Sequence, residues 1–390
     1  MTPGDLAARI DRLCDQLVSS GDLRSPVWRA AFHAVPRHLF VPDRAWASPN
    51  GPEAGYSIDR SSDMDGWLDA VYSDAAIITQ RNDGRADVNG GGEPSSSCSA
   101  PATVAEFLEY LTPDDFNRVL EIGTGTGWTA ALLSHRVRAC NVTSIDIDPV
   151  VSETAAKNLA ETDYHPRLIV GDGTAGHGSG APFDRVHVAV GVADIPHAWV
   201  DQTRPGGVIV LPFMPGYGFG WLARLHVLGD GTAVGRFVGS AGYMMLRGQR
   251  PACRAIPDLP KAGLVESTTR LDPRRVHTDT NVDLFIAASM PGVQERLFYG
   301  DGDAADECTL WLIESGDTGS WASVDYVPGR AEFVVEQYGA RRLWDEVEGT
   351  YMRWLGWGRP GIERLGLTVS PDGQYVWLDS PDRVLTPGGG

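Results

Sequence analysis

Val119-Leu-Glu-Ile-Gly-Thr-Gly-Thr-Gly127 is the stretch on which the reading of this chain turns. Arg118 to Ile122 is short and apolar, as strands covered on both faces are. Glycine then recurs at 123, 125 and 127. Lacking a Cβ, these residues let the backbone turn tightly and a ligand approach it closely. Thr126 to His135 fits a helix, whose first free amides point at whatever is bound. A strand, a glycine turn and a helix in that order put the turn at the carboxyl edge of a sheet, where ligands sit.

The flanking sequence repeats the alternation. Thr103 to Leu111 fits a helix, Val142 to Asp146 a strand and Val150 to Ala160 a helix. Arg167 to Val170, Arg185 to Val190 and Gly207 to Leu211 read as further strands. This pattern specifies an α/β fold, a parallel sheet wrapped by helices. Beyond it, Trp221 to Leu228 and Thr232 to Gly239 flank Gly229-Asp-Gly231, a hairpin signal.

A glycine turn alone does not name its ligand. Here the spacing is G-x-G-x-G, not the dinucleotide fingerprint G-x-G-x-x-G. Glu121 precedes the turn, placed to meet the ammonium of an amino-acid-bearing cofactor. Asp146 closes the next strand, 19 positions after Gly127, placed to accept from ribose hydroxyls. Asp172, in Gly171-Asp-Gly173, is either an adenine contact or a plain turn residue, and its register with the other two favours the contact. An amino acid, a ribose and an adenine without phosphates describe S-adenosylmethionine. Gly123, Thr124, Gly125, Gly127, Ile147, Gly173 and Val190 complete the expected cofactor-binding set.

Composition bounds the rest. Of 390 residues, 42% are hydrophobic and 22% charged, which is ordinary for a chain that buries a core. The length suggests two or three domains. No apolar run reaches the roughly 18 residues of a membrane span. Residues 1–10 lack the basic and apolar regions of a secretory signal. The five cysteines (14, 98, 140, 253 and 308) form no CxxC pair, so neither a disulfide framework nor a metal site is expected, and a reducing cytoplasm fits. A net charge of −18 repels phosphate backbones and anionic lipid, so no nucleic acid and no membrane is expected as a partner.

Three parts are expected. Residues 1–98 comprise a helical segment to about residue 48 and then a loop. Leu6, Ile10, Leu13 and Leu17 recur at helical spacing, and Pro26 to Val35 is amphipathic. Within 80–99, three consecutive glycines and a serine cluster predict a flexible loop, either a surface insertion or a lid over a ligand. Residues 99–247 form the cofactor-binding core. Residues 248–390 read as a linker (250–261) and a small α+β domain with strands at 308–314 and 320–326, a helix from Glu336 to Trp354 and a hairpin at Asp372-Gly373. Its tryptophans, Trp311, Trp321, Trp344, Trp354 and Trp357, are better suited to a core than to a peptide-binding surface.

Val35-Pro-Arg-His-Leu-Phe-Val-Pro42, Ser99-Ala-Pro101, the 119–127 turn, Gly171-Asp-Gly173 and Arg204-Pro-Gly-Gly207 together resemble the protein-L-isoaspartate O-methyltransferase family over about residues 1–246. Within it, Trp28 to Phe32, Trp67 to Tyr72, Ile78-Thr-Gln80, the serines at 95–97 and the added C-terminal region resemble a longer branch. That branch accompanies ATP-grasp ligases in the maturation of ribosomal peptides called graspetides; lanthipeptide-associated relatives share much of the pattern. The resemblance implies a Rossmann-like class I methyltransferase that uses S-adenosylmethionine. Its partners would be a modified precursor peptide and an ATP-grasp ligase. It would methylate an aspartate carboxylate whose ester closes to an aspartimide. The alternative within the family is repair of isoaspartate. Two departures bear on that choice: Ala102 stands where the repair pattern often has histidine, and the loop before it is enlarged.

A carboxylate nucleophile, with an ordinary pKa of about 3.9, is ionised at pH 7 and needs no general base. The enzyme's task is alignment and exclusion of water. Ser97 and Ser99 are the candidate hydroxyl donors, with Ser99 at the serine position the family resemblance marks. Cys98 between them reads as a buried filler, and His177, His187 and His197 fit no metal spacing. A non-catalytic scaffold is the reading from a different class, and the intact glycine and acidic set argues against it.

Overall fold

The computed structural model describes residues 3–251, 256, 263–277, 279–316 and 319–386. Cys253 and most of the expected 250–261 linker lie outside the described residues. The chain divides into two compact units. One holds Met1–Val190, Pro196–Leu211 and His226–Ala233; the other holds Gly191–Ile195, Pro212–Leu225 and Val234–Gly390.

The first unit opens with helices α1 (Pro3–Ser20) and α2 (Pro26–Ala34). Ile10, Leu13 and Leu17 bury one stripe of α1, as their spacing requires. Ser25 caps α2 by accepting from Val27 N, with Pro26 in the first turn. Next come β1 (Arg44–Pro49), β2 (Tyr56–Asp59), α3 (Met64–Val71), β3 (Ala75–Arg81) and β4 (Pro94–Cys98). These strands form a sheet in the order β2-β1-β3-β4. Two expectations change here. Residues 44–48 are a strand, not helix, because Pro42 ends the helical region before them. The loop expected at 80–99 is shorter: residues 80–81 end β3 and 94–98 form β4, paired with it, which leaves 82–93 as the connection.

After α4 (Pro101–Leu111) the parallel sheet begins. Its strands are β5 (Val119–Ile122), β6 (Val142–Asp146), β7 (Arg167–Val170), β8 (Phe183–Val188) and β9 (Thr203–Phe213). Their helices are α5 (Trp128–Val137), α6 (Pro149–Ala160) and α7 (His197–Asp201). The strands run parallel in the order β7-β6-β5-β8-β9. Chain order thus reverses between β5 and β8, the crevice where doubly wound sheets hold ligands. The glycine turn leaves β5 at that point.

Strands β10 (Trp221–Val227) and β11 (Ala233–Ser240), most of whose residues belong to the second unit, precede an antiparallel sheet in it. That sheet comprises β12 (Val265–Thr269), β13 (Val293–Tyr299), β14 (Cys308–Glu314), β15 (Trp321–Tyr326) and β16 (Phe333–Tyr338), in the order β12-β16-β15-β14-β13. Helix α8 (Thr280–Ser289) lies between β12 and β13 in sequence, and α9 (Leu343–Gly356) packs on β14, β15 and β16. The helix expected from Glu336 starts seven residues later, since 336–338 complete β16 and Gly339 turns the chain with φ +97°. A Cβ at Gly339 would lie 2.7 Å from Ser320 Cα, so only glycine fits. Trp321, Trp344 and Trp354 are buried core. The final hairpin, β17 (Leu365–Ser370) and β18 (Gly373–Leu378), extends the sheet of β11 through β17.

Candidate active site

Gly123, Gly125 and Gly127 take φ of +93°, +54° and +89°, a region that side chains other than glycine's enter at a cost. A Cβ at Gly123 would sit 2.9 Å from Val190 Cγ1, and one at Gly125 would sit 3.1 Å from the Ser97 carbonyl oxygen. The turn is therefore pressed between β8's exit and strand β4. Asp146, at the end of β6, accepts from Gly125 N (3.0 Å) and Asp148 N (3.0 Å), one on each carboxylate oxygen. Gly171 N donates to the Asp146 carbonyl at 2.9 Å, which brings the 171–173 turn alongside. Asp172 Oδ1 accepts from Thr174 N (2.9 Å), while Trp199, fully buried, donates from Nε1 to the Gly173 carbonyl. Ile147 is exposed just beyond Asp146. The ends of β5 and β6 and the turns after β5 and β7 thus lie at one edge of the sheet, with the Ser97 carbonyl against the Gly125 turn.

Glu121 differs from its expected role. It is fully enclosed at 0% exposure, so its carboxyl does not face a ligand's ammonium. Ser144 Oγ donates to its Oε2 at 2.5 Å, and Thr124 Oγ1 lies 2.7 Å from the same Ser144 hydroxyl. Burial raises the Glu121 pKa from 4.5 to about 8, partly offset by the Ser144 hydrogen bond, so the acid is mostly neutral at pH 7. In the β5–β8 register Glu121 faces His187, whose Nδ1 is 3.9 Å from Oε1. That distance is too long for a hydrogen bond. Burial pushes His187 down to about 4, so this is a contact between two neutral groups and not an ion pair. Glu121 supports the turn from inside the core.

Arg37 is a site residue that the sequence reading did not single out. At 1% exposure its guanidinium donates to the carbonyls of Val71 (2.6 Å), Ala75 (2.8 Å), Cys98 (3.0 Å) and Ser99 (2.8 Å). It also lies over the ring of Trp128, the first residue of α5, at 5.2 Å. One cation thereby ties the backbone carrying Ser99 to the helix that follows the glycine turn. Cys98 is buried, as a filler would be. Among the described residues no His, Cys, Asp or Glu cluster is arranged to hold a metal.

The family model for protein-L-isoaspartate(D-aspartate) O-methyltransferase matches residues 8–250. The chain belongs to this family. It is 31% identical over 239 residues to the protein-L-isoaspartate O-methyltransferase of Thermococcus onnurineus (strain NA1), covering 60% of this chain and 91% of that one. It is 32% identical over 209 residues to the enzyme of the same name from Pyrococcus abyssi (strain GE5 / Orsay), covering 53% and 80%. A solved protein-L-isoaspartate O-methyltransferase superposes with a TM-score of 0.53 at 20% identity, covering 95% of this chain and all of that one, a likeness of fold. Members of the family are protein carboxyl O-methyltransferases that use S-adenosylmethionine. The residues present fit that cofactor. Glycine at 123 and 125 lets the turn pack closely with positive φ, which leaves its backbone without side chains toward a ligand, and Asp146 offers carboxylate oxygens at the strand end.

Proposed function

We propose that the chain esterifies the side-chain carboxylate of an ordinary aspartate in a ribosomally made peptide already cross-linked by an ATP-grasp ligase, in the cytoplasm. The observation that carries the methyl-transfer part is the laying of β4, with Ser97 in it and Ser99 directly after it, on the Gly125 turn. When bound, S-adenosylmethionine supplies an electrophilic methyl group. This chain's residues do the rest. The turn and Asp146 orient the nucleoside and amino-acid parts. The Ser97 and Ser99 hydroxyls orient the incoming carboxylate, which arrives ionised. Arg37 fixes the Ser99 backbone so that those hydroxyls keep their aim. Esterification gives the aspartate a good leaving group. The backbone nitrogen of the following residue then attacks the ester carbonyl, the N–C bond forms, and methoxide leaves with the amide proton as methanol.

The choice of an ordinary aspartate draws its support from the resemblance to the longer branch, from Ala102 in place of histidine and from the enlarged hairpin. Residues 248–390 lie almost entirely past the family match, but the solved protein-L-isoaspartate O-methyltransferase covers 95% of this chain, so their presence does not separate the two acceptors; we assign them to peptide recognition. Cytoplasmic residence agrees with the free thiols of Cys14, Cys98, Cys140 and Cys308. Among the described residues no helix is long and apolar enough to cross a membrane.

A second reading, isoaspartate as the acceptor, is favoured by the family match and by the names of the relatives. The two separate in competition between a cross-linked aspartyl peptide and a linear isoaspartyl peptide. We expect the first to gain 14 mass units and then lose 32 on imide closure, as methyl addition and methanol loss require. Turnover of the isoaspartyl peptide alone would establish repair instead. Ser99→Ala is expected to lower turnover by about tenfold or more, for a lost hydrogen bond to a charged group, while the cofactor Kd stays put. Equal losses in both would make Ser99 structural.

A further inference from the structure

Gln80 bridges two structures that the sequence keeps far apart. Its Nε2 donates to Asp148 Oδ2 at 3.2 Å, and its Oε1 accepts from Ser95 Oγ at 2.7 Å. Ser95 Oγ in turn accepts from Asp83 N at 2.9 Å. On the other side, Asp148, only 6% exposed, donates from its backbone N to Asp146 Oδ1, and Asp146 Oδ2 accepts from Gly125 N. A continuous hydrogen-bonded path therefore runs from the cofactor turn to the loop at 82–93.

The backbone around Gln80 is built for this. The β3–β4 register shifts on both sides of it. Such a bulge re-aims a side chain, here toward α6's capping residue. Immediately after it, Asn82 and Asp83 take φ of +47° and +54°. Left-handed backbone in two successive residues that are not glycine persists only when its surroundings over-determine it. They do: Asn82 exchanges hydrogen bonds with Glu93 through both backbone and side chain, and Arg81 donates to the carbonyls of Val88 and Gly92. The connection between β3 and β4 is thus a shaped loop with Gln80 at its root.

We propose that Gln80 is a positioning residue that couples occupancy of the Gly125–Asp146 edge to the order of the 82–95 segment, and so to the placement of the acceptor strand β4. The inference rests on the reading that this edge holds S-adenosylmethionine. A neutral amide suits the position because it donates to a carboxylate and accepts from a hydroxyl at once. A carboxyl there would face Asp148 with like charge.

The test is hydrogen exchange on the full chain with and without S-adenosylhomocysteine, with binding followed by calorimetry. In the unaltered protein the product should slow exchange of the 82–95 amides. In Gln80→Ala that protection should vanish while the Kd changes less than about threefold, the acceptor KM rising by about tenfold, the worth of a hydrogen bond to a charged group. Ser95→Ala, which leaves the Asp148 contact intact, should lose the protection of residues 82–84 as well. Gln80→Glu should be worse than Gln80→Ala at pH 8. It should recover relative to the unaltered protein as the pH falls, because two facing carboxyls share a proton. Binding with no protection of 82–95, or Gln80→Glu matching Gln80→Ala at every pH, overturns the coupling alone. No binding at all overturns the cofactor site and the coupling with it.

Discussion

Glu121 and His187 show what single residues contribute beneath the turn. The folded Glu121 binds its proton up to about pH 8, against 4.5 ordinarily, so between those values the native state holds more protons than the unfolded one. Stability attributable to it therefore falls as pH rises through that window. His187, pushed from 6.5 down to about 4, has the opposite sign: the unfolded state takes the extra proton, and stability rises with pH between 4 and 6.5. The two oppose each other below pH 6.5, and Glu121 acts alone above it. We expect the thermal midpoint to drop between pH 6.5 and 8, and Glu121→Gln to flatten that drop. A drop of equal size in the variant would show that Glu121 is ionised in the folded protein. The turn's glycines and Asp146 were legible from spacing, because strand, turn and helix signals coincide there. The Glu121–His187 contact was not, since it exists only once β5 and β8 are paired in register.

Among the elements, the hairpin β3–β4 departs most from its sequence. Pro-Ser-Ser-Ser-Cys at 94–98 has little strand propensity, yet Ser96 and Cys98 are buried on one face and the segment pairs with β3. Tertiary pairing overrides local preference. Arg37 braces the arrangement, and nothing in a Pro-Arg-His sequence announces that its guanidinium reaches four carbonyls 34 to 62 residues away. Stranding such carbonyls costs about 1–3 kcal/mol each. For Arg37→Met, a net loss of about 3 kcal/mol lowers the melting temperature by roughly 6–12 °C. A circular-dichroism melt reads this directly, and an unchanged midpoint would mean that the carbonyls find other donors. The parallel strands, by contrast, were readable from short apolar runs alone, whereas Glu336 to Tyr338, the end of β16, were absorbed into a predicted helix because only Gly339 marks the break before α9.

At the scale of the molecule, the chain carries a net charge of −18 while the acceptor is itself an anion. Long-range steering therefore works against the substrate carboxylate, and recognition has to come from contacts at short range. The family match ends at residue 250, and the β-rich remainder, with a tryptophan-lined core of its own, has no counterpart in that match. The central claim is methyl transfer to a side-chain carboxylate. It is tested most directly by incubating the protein with methyl-labelled S-adenosylmethionine and both acceptor peptides. We expect the label to enter an aspartyl-type side chain as an ester that mild base releases as methanol. Label that stays off every carboxyl group, or that resists base as a nitrogen- or sulfur-bound methyl does, would contradict it.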